Sequence, residues 1–153
     1  MAVISKLVEG PFDAGAELNG FMAGRTDDGA VASFVGIARG RSKEGEAVST
    51  LFLDHYPGMT ERSIEEIAQA GASRFEVSDV LVIHRCGEIG PGEAIVFVAA
   101  ASRHRAEAFA AADYLMDRLK TEAAFWKRED GAGRSRWIEP TEGDRERRAR
   151  WSE

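Results

Sequence analysis

One cysteine, four prolines and three histidines in 153 residues leave little material for several common designs. The single thiol, Cys86, has no partner for an internal disulfide, and the scattered histidines give no CxxC or HExxH spacing. Structural zinc is therefore not expected, and no metal ligand or cofactor is assigned. No apolar run reaches the ~18 residues that a membrane helix needs. The stretch from Ala2 to Val8 is short, interrupted by Lys6 and followed by Glu9. A cytoplasmic protein without membrane contact is expected. The segment from Gly36 to Gly40 lacks the GK[ST] ending of a phosphate loop, and no GxSxG elbow occurs. Nucleotide hydrolysis and acyl-serine chemistry are accordingly excluded.

Positive charge is also in deficit overall, with 20 Lys and Arg against 26 Asp and Glu and a formal net charge of −6. That balance argues against a nucleic-acid surface spread over the whole molecule. The distribution is uneven: from Arg103 to Arg150 there are 12 cations and 10 acids, against 8 and 16 elsewhere. Cations gather late in the chain, where most of them are expected to be solvated faces of helices.

What the chain does have is a hydrophobic content of 44%, enough for one core. Weak alternation predicts a strand over 2–8, and Leu18, Phe21 and Met22 at helical spacing predict a short helix over 13–22. Asp27-Asp28-Gly29 reads as a turn into a strand over 30–38, whose small and β-branched residues suggest burial on both faces. Residues 40–47 (GRSKEGEA) have no apolar anchor and read as a mobile loop beside Arg39. A strand over 48–55 follows. Pro57 is placed for the first turn of a helix, with Ile64, Ile67 and Ala68 as its apolar stripe. Apolar runs at 80–84 and 94–101, joined by GEIGPGE, predict an antiparallel pair. A long helix starts at Ser102 and ends near Lys120, with Ala108, Phe109, Ala112, Leu115, Met116 and Leu119 on its core face. FWKRE, DGAG and RWIE read as a closing hairpin. Strands and helices do not alternate strictly, so the fold class is α+β. One domain over 1–140 is expected, with 141–153 a polar tail, partly disordered or docking only against a partner.

Two places have the composition of a reactive site. Ser102-Arg103-His104-Arg105 sets an N-cap hydroxyl and three potential cations at the positive end of a helix dipole. Such clustering is unfavourable unless an anion such as phosphate binds there. Lys120 and Lys127 bracket KTEAAFWK, and a chain that folds back brings them to one pocket. A lysine crowded by Arg39, Arg105 or Arg128 loses part of its preference for the ammonium form and becomes a nucleophile or proton carrier near neutral pH. A helix-end cation that complements the dipole is the ordinary alternative for Lys120. Cys86 follows a buried-looking strand and reads as a small apolar residue. His55 and His84 read as structural histidines.

The segments HYPGMTE (55–61), IHRCGEIGPGE (83–93) and LKTEAAFWKRE (119–129), with FVGIAR (34–39) and RWIE (136–139), resemble the large, catalytic subunit of molybdopterin synthase, the MoaE family, over nearly the whole chain. The resemblance implies an α/β hammerhead with a mainly antiparallel sheet and packed helices. It implies a homodimer within a heterotetramer, in which each large subunit accepts the C-terminal Gly-Gly tail of a small ubiquitin-like sulfur carrier, ending as a thiocarboxylate. Two such sulfurs are transferred to cyclic pyranopterin monophosphate to form the dithiolene of molybdopterin. Carried over by motif, Lys120 and Lys127 are the catalytic lysines. Arg39, His104, Arg105, Arg128 and Glu129 hold substrate, Ile37 and Ala38 contribute mainly through backbone, and Phe34 and Met116 line the pocket. The chain departs from the usual pattern at Ala38, Gly40 and Ala124, and at Cys86, where an aliphatic residue is common. The rival readings are a non-catalytic module that holds a phosphorylated ligand or a partner tail, and a cysteine-dependent sulfurtransferase.

Overall fold

A computed structural model of the chain describes residues 1–131 and 133–152. The chain forms two four-stranded sheets and four helices among the described residues. In chain order these are β1 (Ala2–Val8), α1 (Ala14–Met22), β2 (Ala30–Ile37), β3 (Thr50–His55), α2 (Met59–Arg74), β4 (Asp79–Arg85), β5 (Gly87–Ile89), β6 (Ala94–Ser102), α3 (Arg105–Glu122), β7 (Phe125–Gly131), β8 (Arg134–Ile138) and α4 (Glu142–Ala149). The first sheet has the order β1-β4-β6-β2 and the second β5-β3-β7-β8. Only the β1–β4 pair is parallel; the other pairings are antiparallel, as an α+β chain without strict alternation requires. No described helix is long and apolar enough to cross a membrane.

The central strands β4 and β6 carry unbroken apolar runs, Val80 to Ile83 and Ala94 to Ala101, because both of their faces are covered. Val80 and Val82 of β4 face α2 and α3, packing with Ile64, Ile67, Ala111 and Leu115. The alternate residues Leu81 and Ile83 face α1, against Leu18 and Phe21. This is the period of two that a strand imposes. Side chains of the size of Ile64 and Leu115, both 1% exposed or less, contribute about 2 kcal/mol each when taken out of water. Helices α2 and α3 approach closely where Gly71 leaves room: a Cβ there would sit 2.7 Å from Leu115 Cδ2. A larger residue at position 71 forces the Leu115 side chain to move.

Several expectations are corrected. Strand β2 is not buried on both faces, since it is the sheet edge and its end opens onto a cleft; Phe34 is 46% and Ile37 56% exposed. Ser102 belongs to β6, where its hydroxyl donates to the Glu76 carbonyl at 2.7 Å; the N-cap of α3 is His104, and the helix runs to Glu122. Phe109 lies off the core stripe and is 65% exposed. Pro57 precedes α2, whose N-cap is Gly58 at φ 86°, a left-handed conformation that suits glycine. Segment 40–47 closes as a small hairpin, with Ser42 N–H donating to Glu46 O at 2.8 Å and Val48 N–H to Gly40 O at 2.9 Å.

The C-terminal segment also differs from a tail that only a partner could order. Thr141 caps α4 and forms a capping box with Asp144. The helix has no buried residue, so apolar packing does not hold it. Instead Arg150 Nη2 lies 2.8 Å from Asp117 Oδ2 and Arg147 Nη2 2.9 Å from Asp113 Oδ1, tying α4 to α3. Trp151 completes the contact, donating Nε1–H to Asp117 Oδ2 at 2.7 Å and packing edge-on against Phe75 and Tyr114.

Candidate active site

The closing hairpin is what brings the lysines together. Helix α3 ends at Glu122, Ala123 leaves the helical conformation, and β7 turns back antiparallel to β3. Along β7, Lys127 and Glu129 share one face with Phe125, whereas Trp126, Arg128 and Asp130 point the other way. Lys127 therefore faces the last turn of α3, where Lys120 stands. Both line one cleft of about 580 Å³, together with Phe34, Ile37, Ala38, Arg39, Met116 and Glu129.

Among the described residues, Arg39, Lys120 and Lys127 carry no ion-pair or hydrogen-bond partner. Arg136, on the rim, is already engaged by Glu44 at 2.6 Å and by Glu129 at 3.4 Å. Burial, followed by the ammonium of Lys120, pushes the Lys127 pKa down from 10.5 to about 8, with Asp144 acting in the opposite sense. About a tenth of the amine is thus neutral at pH 7, and about half at pH 8.

Two residues of the cleft were not anticipated. His84, the polar member at the end of the run VLVIH (80–84), is buried beneath the lysines and stacks on Phe125 with ring centroids 4.3 Å apart. Its Nδ1 lies 2.9 Å from the Arg85 carbonyl, so Nδ1 carries the proton and Nε2 is left as an acceptor. Burial and then the two lysines push its pKa down from 6.5 to about 4, although the carbonyl contact opposes this; the ring is neutral at physiological pH. Asp144, from the first turn of α4, also lines the cleft. Burial acts to raise its pKa, but the Thr141 N–H, Lys120 and Lys127 outweigh it and hold the carboxyl below its usual value. The only sequence signals are, for His84, one polar residue at the end of an apolar run and, for Asp144, one acid within a basic segment.

Three of the assigned residues, Arg128, His104 and Arg105, lie outside this cleft. Arg128 is on the outer face of β7, paired with Asp130 at 2.9 Å and stacked over Phe52. His104 and Arg105 begin α3, roughly 22 Å along the axis from Lys120 at 1.5 Å per residue. Ala38 lines the cleft, but its N–H goes to Glu93 O at 2.9 Å and its carbonyl accepts from Gly92 N–H at 2.8 Å, so both backbone groups are spent within the chain. Cys86 is buried, and burial followed by Glu9 and Glu61 pushes its thiol up, away from thiolate chemistry.

An α+β domain with unpaired cations and a low-pKa amine in one cleft is the class of protein that takes anionic reactants through acid-base or nucleophilic amine chemistry. The family model for MoaE protein matches residues 7–122, and the chain belongs to that family. A molybdopterin synthase catalytic subunit from Caulobacter vibrioides is 51% identical over 151 residues, 99% of each chain. One from Escherichia coli K12 is 45% identical over 149 residues, covering 96% of this chain and 98% of that one. In structure, the chain is similar to the molybdopterin biosynthesis MoaE protein from Burkholderia ambifaria, with a TM-score of 0.80, 39% identity and coverage of 100% and 99%.

Proposed function

We propose that this chain is the catalytic subunit of a molybdopterin synthase. It acts in the cytoplasm as a sulfurtransferase from the C-terminal thiocarboxylate of a small ubiquitin-like carrier to cyclic pyranopterin monophosphate. The observation that carries the reading is the convergence of Lys120 and Lys127 with Arg39, all without ion-pair partners among the described residues, in one cleft. Each reactant is an anion, a phosphate on one side and a thiocarboxylate on the other, and each needs a fixed positive charge to enter a partly desolvated site.

The roles follow from the environments. Lys120, exposed and ammonium, compensates the tail and the charge that develops as sulfur attacks the pterin ring. Lys127, with its pKa at about 8, takes and returns protons, and the bare Nε2 of His84 is left as an acceptor for an amine that moves within reach. Arg39 holds the phosphate, while Phe34 and Met116 supply an apolar wall to the ring. His104 and Arg105 are too far along α3 to serve the cleft of their own chain; they would serve that of a second copy in the homodimer.

The test is to combine the purified chain with thiocarboxylated small subunit and cyclic pyranopterin monophosphate and to assay the dithiolene product. Product is expected, and Lys120→Ala should lower turnover by a factor on the order of 10² to 10⁴ with carrier binding largely kept. Unchanged product formation in that variant rejects the catalytic role and leaves a binding module. Cys86→Ser should turn over near the normal rate; loss of activity there would favour a cysteine-dependent route.

A further inference from the structure

We infer that Glu9, His55 and Cys86 form a binding site for one divalent transition-metal ion of the zinc class, at the seam between the two sheets. One carboxylate oxygen, one imidazole nitrogen and the thiol sulfur lie within 4.8 Å of one another. Around tetrahedral zinc, bonds of about 2.0 to 2.3 Å place such ligands roughly 3.3 to 3.8 Å apart, so closure asks for about 1 Å of side-chain movement. The backbone beneath them is already set. Cys86 is the residue between β4 of the first sheet and β5 of the second, and its N–H donates to the Val8 carbonyl at 2.8 Å, which holds it beside Glu9. His55 ends β3, paired with Phe125 of β7. Three strand ends from both sheets thus converge, which no spacing within one motif would reveal.

The donor set is chemically selective. Sulfur, imidazole and one carboxylate suit zinc or cobalt and not magnesium or calcium, which take oxygen ligands. Bound as thiolate and carboxylate, Cys86 and Glu9 together cancel a divalent charge; the metal-sulfur bond replaces the S–H bond and the proton leaves to solvent. Glu61 lies near enough to act on the thiol, and the Gly58 N–H holds one of its oxygens at 3.1 Å. The nearby cation Arg85 is directed to the Glu88 carbonyl at 2.8 Å and to Glu93 at 3.4 Å. None of the three ligands lines the lysine cleft. The ion would act as a staple between the sheets, steadying β3, whose Leu53 is in register with Lys127.

The full chain, stripped with a chelator, is titrated with cobalt(II) alone and then with zinc(II) against a chromophoric competitor. One equivalent of cobalt is expected to bind with a thiolate-to-cobalt charge-transfer band and intense visible bands of tetrahedral geometry. Zinc should displace it. Glu9→Gln, His55→Ala and Cys86→Ser should each weaken zinc binding by about 100-fold or more, at the upper end of what losing a ligand's supporting partner costs, while His104→Ala leaves it unchanged. Glu9 is exposed, so Glu9→Gln tests the site even where Cys86→Ser disturbs folding. Absence of the charge-transfer band, or zinc affinity unchanged in Glu9→Gln and His55→Ala, overturns the inference.

Discussion

Replacing Lys127 with methionine should make the protein more stable at neutral pH while removing the amine that the reaction uses. A pKa depressed from 10.5 to about 8 corresponds to about 3 kcal/mol of preference against the ammonium form in the folded state. Methionine keeps the length of the side chain and carries no charge to desolvate, so on the order of 1 to 3 kcal/mol of that cost should be recovered. The pH dependence identifies the cause. Between about 8 and 10.5 the unfolded chain holds a proton on Lys127 that the folded chain has lost, so the stability of the parent protein rises with pH through that window. Below about 8 the cost is complete, and above 10.5 it has vanished. The variant lacks this group. Its advantage in urea denaturation should be largest at pH 7 and should shrink towards pH 10.5. A variant that is no more stable than the parent at pH 7, or whose advantage is the same at both pH values, would refute a desolvated ammonium at position 127.

His84 should produce a slope at the acid end. Its ring stays neutral in the fold down to about pH 4 but protonates from 6.5 in the unfolded chain, so stability is lost as pH falls between these values. By pH 4 the parent should lose about 3 kcal/mol more than His84→Phe does, read by denaturation at pH 7 and pH 4. Asp117→Asn should loosen α4 at a cost of about 1 to 3 kcal/mol, since it removes the negative charge and one of the two oxygens that accept from Arg147, Arg150 and Trp151. Trp151 emission reports this directly, and an unchanged spectrum with unchanged stability would show that α4 is held by other contacts.

The parts of the fold that could be read beforehand are those where one face meets one core. Val80 to His84, the run in β6 and the stripe through Ala108, Ala112, Leu115 and Leu119 follow their periods because apolar burial dominates there. Strand β2 reads as buried because Phe34, Val35 and Ile37 are apolar, yet all three are exposed and line the cleft instead of the core. Helix α4 was missed for the opposite reason, being held by charge pairs that no apolar pattern announces. The lysine pair is visible in KTEAAFWK as two cations that a fold-back brings together, but its catalytic role rests on the resemblance, because a seven-residue interval spanning a helix end and a strand has no fixed geometry. His84 was legible only as one polar residue in an apolar run, and Asp144 only after α4 was known to form.

Helix α4 and the lysine cleft are linked through Asp144. Thr141 and the first-turn backbone hold this carboxylate in place, and it acts on both lysines from the rim. With α4 docked, Asp144 holds the Lys127 pKa above the value that burial and Lys120 alone would set. The cleft nevertheless retains positive charge, because Arg39, Lys43, Lys120, Lys127 and Arg136 line it against Glu44, Glu129, Glu139 and Asp144. A fold that maximised its own stability would neutralise those cations internally or bury apolar groups in their place. Here folding leaves about 3 kcal/mol unrecovered at Lys127 alone. An anion entering the cleft relieves that cost, so part of its binding energy offsets the burial of the Lys127 ammonium and its repulsion by Lys120, both already present in the free chain. Binding of an anionic tail should accordingly raise the Lys127 pKa, take up protons near pH 8, and weaken as pH rises through that region.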